Sequence, residues 1–530
     1  MIRKTTAIIL FTLFIVPIFS WGQGPATCFR IYLHDKNNNS YVVSNPAAFL
    51  SPKAIEKRAR FAIPITTQDL PVSPSYINQI KAVSSNISVF TKSKWANSVV
   101  IFCDNIASLS TLSALSFVDS IVPVGNYAQG NFYNPGNKSV PENKPNSIVV
   151  NQSKGERNSE EFWGLSYAQI AMHNGHLLHN EGFKGEGMLI AVIDAGWDGM
   201  PNSILMNQMT QTGQLNGTFD LLQGTDAVFG NTGVYNMSSH GAYVTSIMAM
   251  NWADTMVGTA PNAHYVFIRS ENVTNEELIE EDYWAAAAEL ADSLGADVIN
   301  SSLGYTTFLD FPECTATYAN NDGHWSIASR AATIAVQKGI IVCVAAGNEG
   351  AATFRYVSRP GDADNILTVG AVGIDSLTAG FSSIGPSFDG RVKPDVAAIG
   401  ALTTYFNFYN AYPAQGNGTS FATPVIAGLA ACLWQAMPVY TASHIMDIIR
   451  QSGHQYHQPD SAQGYGIPDF YQAYISHVGI IKPHPCHEVK IFPNPCRYET
   501  QMLDPNREYS SLKLYDLTGK LILQRKLTSQ

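Results

Sequence analysis

The stretch Met-Leu-Ile-Ala-Val-Ile-Asp-Ala-Gly, residues 188–196, carries the strongest indication of the fold. Its apolar residues follow one another without interruption, which is typical of a β-strand that is buried on both faces. Such strands occur in parallel sheets that helices cover on both sides. A carboxylate, Asp194, comes directly after the apolar run, at the end of the strand where open parallel sheets carry their active sites.

Strands and helices alternate along the rest of the region from about residue 162 to 474. A predicted helix through Trp284 ends near Gly295, and a strand at 296–299 follows it. A second helix at 325–337 is followed by a strand at 340–345. Repeated β–α–β units of this length predict an α/β fold, with a parallel sheet and helices on both of its faces.

The helix through Trp284 is expected to begin at a capping box. Thr274 and Glu277 have the spacing at which a threonine and a glutamate each accept a backbone N–H of the first turn. Further acidic residues follow in the sequence Glu280-Glu281-Asp282. Carboxylates in the first turns complement the positive end of the helix dipole, so they support the same prediction.

Four polar residues stand at the ends of predicted strands or at the start of predicted helices. They are Asp194 in Asp-Ala-Gly, His240 in His-Gly-Ala-Tyr-Val, Asn348 in Gly-Asn-Glu-Gly and Ser420 in Gly-Thr-Ser-Phe-Ala-Thr-Pro. Each of them alone has a structural explanation, such as a helix cap or a turn. Together, in the order Asp, His and Ser, they match one of the three known orders of a catalytic triad.

These residue types suit nucleophilic catalysis. A serine hydroxyl is a weak nucleophile, so Ser420 needs a base, and His240 is expected to take its proton. Asp194 would hold the imidazole in the correct tautomer. Ser420 at a helix N-terminus gains from unpaired backbone N–H groups, which favour developing negative charge. The side-chain amide of Asn348 and the Ser420 N–H are the expected donors to an oxyanion.

The four segments resemble the signatures of the subtilisin-like serine peptidases (subtilases, family S8), and the resemblance extends over residues 165–474. It implies a subtilisin-like fold with a substrate-binding pocket between two segments. The expected pocket residues are Ser302, Leu303 and Gly304 on one wall and Ala345, Ala346 and Gly347 on the other. Tyr243 stands where the family often has a histidine, and Phe421 stands where a methionine is common. Both are expected to reshape the pocket.

The region before the α/β segment predicts a second, smaller domain. Residues 28–124 alternate short strands and helices, as in an α+β domain, and residues 126–162 have the Asn, Gly, Pro and Ser content of a linker. Residues 26–125 resemble a subtilase prodomain, a ferredoxin-like unit that assists folding and occupies the active site before cleavage. An unrelated adhesive domain is the alternative. The peptidase domain is then expected at 163–478.

The N-terminal residues 1–22 predict a signal peptide. Arg3 and Lys4 precede an apolar run at 7–19, and Ser20 and Gly22 are small residues before an expected cut at Gln23. The apolar run is shorter than the roughly 20 residues that cross a bilayer. We therefore expect export and no stable membrane span.

The tail at 487–530 resembles the β-sandwich sorting domain of the type IX secretion system. The resemblance is carried by Ile-Phe-Pro-Asn-Pro at 491–495 and by Leu-Lys-Leu-Tyr-Asp-Leu-Thr-Gly-Lys at 512–520. Such domains usually continue with a further turn and strand, so the tail is expected to be a truncated, partial β-sandwich. A short accessory β-domain is the alternative.

Charge and cysteine content limit the partners. The net charge of −10 and the absence of a Lys/Arg block argue against nucleic acid or an anionic membrane as the main partner. The seven cysteines leave two bridges open, Cys28–Cys103 and Cys486–Cys496, and their odd number leaves at least one thiol unbridged.

The sequence thus predicts a secreted or cell-surface serine endopeptidase that hydrolyses peptide bonds through an acyl-enzyme at Ser420. Its expected partners are protein or peptide substrates, its own prodomain and the secretion machinery. The chemistry requires no cofactor. A structural calcium ion, common in subtilases, is an alternative role for the acidic residues and has no predicted location. A surface-exposed binding or adhesion protein on a subtilase scaffold is the alternative function.

Overall fold

The computed structural model describes residues 27–125, 162–222, 230, 232–273, 276–308 and 311–478, together with short strands in the tail. The predicted signal peptide and residues 126–161 of the predicted linker lie outside these described residues. The chain divides into two compact units, Met1–Tyr474 and Ile475–Gln530.

The first unit begins with a four-stranded antiparallel sheet, here called the N-terminal sheet. Its strands are β1 (Cys28–Leu33), β2 (Ser88–Ser93), β3 (Ser98–Phe102) and β4 (Val118–Gly125), in the order β2-β3-β1-β4, and its helices are α1 (Pro52–Arg60), α2 (Pro74–Ala82) and α3 (Ile106–Ser113). Phe29 and Ile31 alternate along β1 and enter one core with Ile101 of β3. In the same core the rings of Tyr76 and Phe117 stack at 4.0 Å.

The bridge between Cys28 and Cys103 that the sequence left open does not form, because both of these described residues are free cysteines. Cys28 of β1 lies opposite Phe102, so Cys103 is offset from it by one residue. Successive side chains of a strand point to opposite faces of a sheet. Cys103 accordingly belongs to the core under the sheet, whereas Cys28 lies on the other face. The second predicted pair, Cys486 and Cys496, lies outside the described residues.

The centre of the first unit is a seven-stranded sheet in the order β13-β12-β11-β10-β5-β9-β6. Its strands are β5 (Leu189–Asp194), β6 (Leu215–Asp220), β9 (His264–Arg269), β10 (Val298–Ser301), β11 (Ile341–Ala345), β12 (Leu367–Val372) and β13 (Val396–Ile399). Two short hairpins lie outside this sheet: β7 (Asn251–Trp252) with β8 (Met256–Val257), and β14 (Thr403–Asn407) with β15 (Tyr412–Gly416). All of its strand pairs are parallel. Every residue of β5 is buried, as its apolar run predicts.

Helices flank this sheet, which confirms the predicted α/β fold. They are α4 (Tyr167–Ala171), α5 (Gly175–Asn180), α6 (Ile204–Thr212), α7 (His240–Ala249), α8 (Glu280–Leu294), α9 (Ile327–Gln337), α10 (Thr419–Ala436), α11 (Ala442–Gln451) and α12 (Phe470–His477). Helix α10 packs on β10, β11, β12 and β13. Among the described helices, α10 alone is long and apolar enough to cross a membrane, and 83% of it is buried inside the protein, as in a core helix.

Helix α8 begins at Glu280, so the predicted start at the Thr274 capping box is wrong. The carboxylate of Glu280 accepts the N–H of Asn272 at 2.7 Å and that of Glu277 at 2.9 Å. The preceding segment is therefore held folded back on the first turn of the helix instead of extending it. Thr274 itself lies outside the described residues. At the other end Gly295 adopts a φ of 84°, the left-handed conformation of a C-terminal glycine.

Buried ion pairs join the N-terminal sheet and helix α1 to α8. Both distances of the bidentate pair between Arg30 and Asp282 are 2.6 Å. Arg58 donates to Asp292 at 2.7 Å, and both of these side chains are buried. Removing either Arg30 or Asp282 takes away the counter-ion of a buried charge. Arg58 also contacts Asp69, and Asp292 also contacts Lys94, so the second pair belongs to a larger network of charges.

Glu289 forms a third contact on the same helix. Its carboxylate accepts hydrogen bonds from Ser93 Oγ at 2.5 Å, from Lys94 N at 2.7 Å and from Trp95 N at 2.9 Å. Burial raises the pKa of Glu289, although the charge of Lys94 and these hydrogen bonds oppose the rise. This one carboxylate therefore caps the turn between β2 and β3.

The second unit contains two antiparallel hairpins among its described residues. Strands β16 (Lys490–Phe492) and β17 (Gln501–Leu503) form one of them, and β18 (Ser511–Tyr515) and β19 (Leu521–Lys526) form the other. The motif residues 493–495 and 516–520 lie outside the described residues.

Candidate active site

Asp194 and His240 meet at the end of the central strand. Asp194 is the last residue of β5 and is fully buried, and His240 is the first residue of α7. The His240 Nδ1 lies 2.8 Å from Asp194 Oδ1, which also accepts the N–H of Ala195 at 2.7 Å. A methyl group at Gly241 would come within 2.7 Å of the Gly196 carbonyl oxygen and 3.0 Å of the Asp194 Cβ. Only glycine therefore lets the helix approach the strand this closely.

The electrostatics of this pair favour a charged imidazole. Burial lowers the pKa of His240, but the charge of Asp194 and the hydrogen bond to it outweigh burial, so the pKa lies above the ordinary value of a histidine. One third of the imidazole side chain is exposed, whereas the Asp194 side chain is fully buried. The histidine can therefore exchange protons at the surface while its partner remains in a fixed place.

Ser420 lies in the first turn of α10 and is half-buried. Its hydroxyl donates to the Ser302 carbonyl at 3.1 Å, and the Ser302 hydroxyl donates to the Ser420 carbonyl at 2.8 Å. This reciprocal pair ties the start of α10 to the segment that follows β10. Sequence reasoning assigned Ser302 to the pocket wall and did not identify this role.

The amide of Asn348 has its orientation set by Thr419. Asn348 Oδ1 accepts the backbone N–H of Thr419 at 2.9 Å and its hydroxyl at 3.2 Å. The Thr419 hydroxyl also accepts the N–H of Gly347 at 3.2 Å, which connects the loop after β11 to the start of α10. Since the amide oxygen is engaged, the Nδ2 end remains as a hydrogen-bond donor beside Ser420.

The two predicted pocket walls lie at the ends of neighbouring parallel strands. Ser302, Leu303 and Gly304 follow β10, while Ala345, Ala346 and Gly347 end and follow β11. Ser358 N donates to the Ala346 carbonyl at 2.8 Å, and Tyr305 and Arg359 exchange two backbone hydrogen bonds at 2.8 and 3.2 Å. The segment at 357–361 therefore bridges both walls.

The two departures from the family pattern belong to one aromatic cluster. Tyr405 stacks parallel to Phe421 at 5.2 Å and lies 4.6 Å from the Tyr243 ring, both between ring centroids. The Phe421 ring lies 6.3 Å from that of His240. Tyr405 was not identified from the sequence, although two unusual aromatic residues beside the catalytic motifs were a signal for a third.

One group of carboxylates tests the calcium prediction. The oxygens of Glu271, Glu276 and Glu280 lie within 4.8 Å of one another, the one such metal-binding arrangement in the described part of the chain. Burial and neighbouring negative charge raise the pKa of both Glu271 and Glu280 well above the ordinary value. Tyr305 Oη donates to Glu271, and the Glu280 oxygens accept backbone N–H groups. The protein's own donors already engage Glu271 and Glu280, and no observation assigns this set to calcium, so the ion stays an unlocated prediction.

Comparison with known proteins identifies the chain. The model of the subtilase family, peptidase family S8, matches residues 185–466, and that of the S8 propeptide domain of Bacteroidota matches residues 28–139. Subtilisin NAT of Bacillus subtilis subsp. natto is 30% identical over 313 residues, which are 58% of this chain and 71% of that protein. An alkaline protease of Alkalihalobacillus alcalophilus is 28% identical over 295 residues, 55% of this chain and 64% of the relative.

A solved structure shows the same fold. Fervidolysin from Fervidobacterium pennivorans, described as a keratinolytic enzyme related to subtilisin, has a TM-score of 0.57 and 17% identity, and the match covers 89% of this chain and 63% of that one. The predicted subtilisin-like fold and the predicted propeptide are thus confirmed. The family model spans more than half of the sequence, and this chain therefore belongs to the subtilase (S8) family of serine peptidases, a family of hydrolases.

Proposed function

We propose that this protein is the precursor of an exported endopeptidase that cleaves proteins through Asp194, His240 and Ser420. The observation that carries the proposal is the hydrogen bond of 2.8 Å between His240 Nδ1 and the fully buried Asp194. A buried carboxylate on Nδ1 leaves Nε2 as the nitrogen that can act on a substrate. Ser420 at the start of α10 supplies the nucleophile.

The reaction begins with proton transfer from Ser420 to His240. The hydroxyl turns from the Ser302 carbonyl toward the imidazole, and such bonds commonly form only in the substrate complex. Nε2 takes the proton as Oγ attacks the carbonyl carbon of the peptide. The oxyanion of the tetrahedral intermediate accepts hydrogen bonds from Asn348 Nδ2 and Ser420 N.

The imidazolium then completes the first half of the reaction. It donates its proton to the leaving amine, the C–N bond breaks, and an ester remains on Ser420 Oγ. Water attacks this ester with His240 again as the base, and the acid product leaves as Ser420 regains its proton. Asp194 keeps its charge and stabilises the imidazolium throughout. Side-chain and backbone groups carry out every step, so the chemistry requires no cofactor.

Maturation and export complete the proposal. The propeptide match over residues 28–139 supports synthesis as an inactive precursor, with cleavage in the linker near residues 154–158. Export rests on the signal-like residues 1–22, and sorting by the type IX machinery rests on the motifs in the tail at 487–530. The same export places the mature enzyme outside the cell or on its surface.

The test combines intact mass with a serine-reactive fluorophosphonate probe. Purified wild type is expected to lose its N-terminal part and to take up one probe molecule, whereas Ser420→Ala does neither. Ser452→Ala, which changes a serine at the end of α11, is the matched control and should behave as wild type. If wild type keeps its N-terminal domain and stays unlabelled after limited proteolysis, catalysis is refuted and a binding protein on a subtilase scaffold becomes the better account.

A further inference from the structure

The loop that follows Asp194 carries a tryptophan, Trp197, whose side chain is fully buried. Its indole Nε1 donates a hydrogen bond to Thr245 Oγ1 on helix α7 at 2.9 Å. The Thr245 hydroxyl in turn donates to the Gly241 carbonyl at 2.7 Å. Gly241 follows His240 in the first turn of α7. Two hydrogen bonds therefore lead from the loop after Asp194 to the turn that carries the imidazole.

The direction of both bonds follows from the chemistry of the groups. An indole N–H can only donate, so the Thr245 oxygen accepts from Trp197 and has its own proton left for the Gly241 carbonyl. Trp197 and Thr245 are both 0% exposed, so bulk water does not reach either group. A buried polar group that loses its partner keeps the full cost of desolvation. The two bonds therefore favour one position of the helix relative to the loop.

The indole ring lies between the sheet and the start of α7. It stacks on Phe267 of β9 at 4.7 Å between ring centroids, with 12° between the ring planes. Phe267 lies opposite Val192 of β5, two residues before Asp194. Towards the helix, a methyl group added to Gly241 would lie 2.9 Å from Trp197 Cε2. The ring thus contacts both the strand beside β5 and the first turn of α7.

The backbone of the same loop is bonded to the segment before His240. Trp197 N donates to Val234 O and Asp198 N donates to Ser238 O, both at 2.8 Å. The loop therefore holds the chain on both sides of His240: its backbone binds the residues before the histidine, and the Trp197 side chain binds the helix after it. Because Trp197 is fully buried, it can affect the reaction only through the position of the histidine.

We propose that Trp197 is a positioning residue for the peptidase reaction, and that together with Thr245 it holds His240 at hydrogen-bond distance from Asp194. The inference rests on the proposed function and adds these two residues to its site. Burial lowers the pKa of His240 and Asp194 of β5 raises it, whereas the Phe421 ring of α10, 6.3 Å away, carries no charge. With burial unchanged, a longer contact between Asp194 and His240 lowers this pKa and slows proton transfer.

The experiment compares mature enzymes prepared from full-length precursors as wild type, Trp197→Phe, Thr245→Val and Thr245→Ser. Trp197→Phe removes the indole N–H, Thr245→Val removes the hydroxyl at nearly constant shape, and Thr245→Ser keeps the hydroxyl. Each enzyme is assayed on a peptide p-nitroanilide at a series of pH values, and rates are expressed per active site titrated with the fluorophosphonate.

Trp197→Phe and Thr245→Val should lower kcat by about 10-fold or more with little change in KM, since a misplacement of about 1 Å can cost roughly 10²-fold. In both variants the acid limb of kcat/KM should move to lower pH, because His240 loses part of the influence of Asp194. Thr245→Ser should restore the wild-type kcat and acid limb.

Trp434→Phe is the matched control. The Trp434 indole N–H donates to the Tyr440 carbonyl at 2.8 Å near the C-terminal end of α10, and this side chain is 4% exposed. The control loses a comparable indole hydrogen bond and some stability, but it should keep the wild-type kcat and acid limb. A kcat and acid limb in Trp197→Phe and Thr245→Val that match the control overturn the inference and leave the proposed function standing.

Two further outcomes are decisive. If Trp197→Phe does not fold, Thr245→Val decides alone, since it keeps the indole ring in place. A Thr245→Ser enzyme that behaves like Thr245→Val also overturns the inference, because the hydroxyl would then have no role. A wild type that takes up no fluorophosphonate and cleaves no substrate overturns the proposed function, and the inference with it.

Discussion

Removing the Glu289 carboxylate should loosen the N-terminal domain from the peptidase. Glu289 accepts hydrogen bonds from Ser93 Oγ, Lys94 N and Trp95 N at 2.5–2.9 Å. Hydrogen bonds to a charged group contribute about 1.5–3 kcal/mol each, and they are not additive. Burying the carboxylate itself costs free energy, as its raised pKa indicates, and this offsets part of the gain. We expect Glu289→Ala to weaken binding by about 3 kcal/mol, roughly 100-fold in Kd.

The assay measures how fast peptidase activity recovers when the matured, cleaved complex is diluted. Under the proposed function the bound propeptide blocks the active site, and its release restores activity. Glu289→Gln keeps one acceptor oxygen, so its rate of activity recovery should lie between those of Glu289→Ala and wild type. Glu313→Ala, which removes an exposed glutamate outside this contact, is the matched control. If Glu289→Ala recovers activity no faster than Glu313→Ala does, the three hydrogen bonds do not hold the complex together and the reasoning is refuted.

Three further predictions concern the catalytic centre. The base His240 must be neutral to act, and Asp194 raises its pKa, so kcat/KM should fall as pH drops through that raised value. In Asp194→Asn, burial remains as the main influence on the His240 pKa and lowers it, so this acid limb should move to lower pH. In the same variant kcat should fall by about 10⁴-fold. An acid limb that stays in place in a pH–rate profile would contradict this. Asn348→Ala should lower kcat by about 10²–10³-fold with little change in KM, a magnitude known from subtilisin. Steady-state kinetics at saturating substrate will check this, and a change in KM alone would show that Asn348 serves substrate binding instead. Gly241→Ala places a methyl group 2.7 Å from the Gly196 carbonyl oxygen. Fluorophosphonate labelling should therefore slow and the melting temperature should drop. Unchanged labelling would show that α7 has room to shift.

The sequence predicted the fold class because the decisive signals are local. The buried run at 188–193 is an uninterrupted apolar stretch, and β5 forms at 189–194 with every residue buried. The end of α8 at Gly295 was also predicted at the position that the structure has. Each of these predictions depends only on residues that lie within a single helical turn or a single strand.

One prediction and one possibility that the sequence left open failed, because both required contacts between segments that the sequence does not position. The capping box at 274–277 fits the first turn of a helix, but Glu280 accepts the N–H groups of Asn272 and Glu277, and α8 begins at Glu280. Cys28 lies on β1 and Cys103 directly follows the neighbouring strand β3, yet the register offsets them by one residue and their side chains lie on opposite faces of the sheet. A one-residue difference in register is invisible in the composition of either strand.

The sequence by itself determined that Asp194, His240, Asn348 and Ser420 lie at the ends of strands or the starts of helices, since a strand end is defined by the apolar run before it. Only the tertiary structure decided what each group contacts. It directs the Ser420 hydroxyl to Ser302 and orients the Asn348 amide through Thr419. These outcomes depend on distances of a few ångströms between segments that are far apart in the chain, and packing of the whole sheet sets those distances.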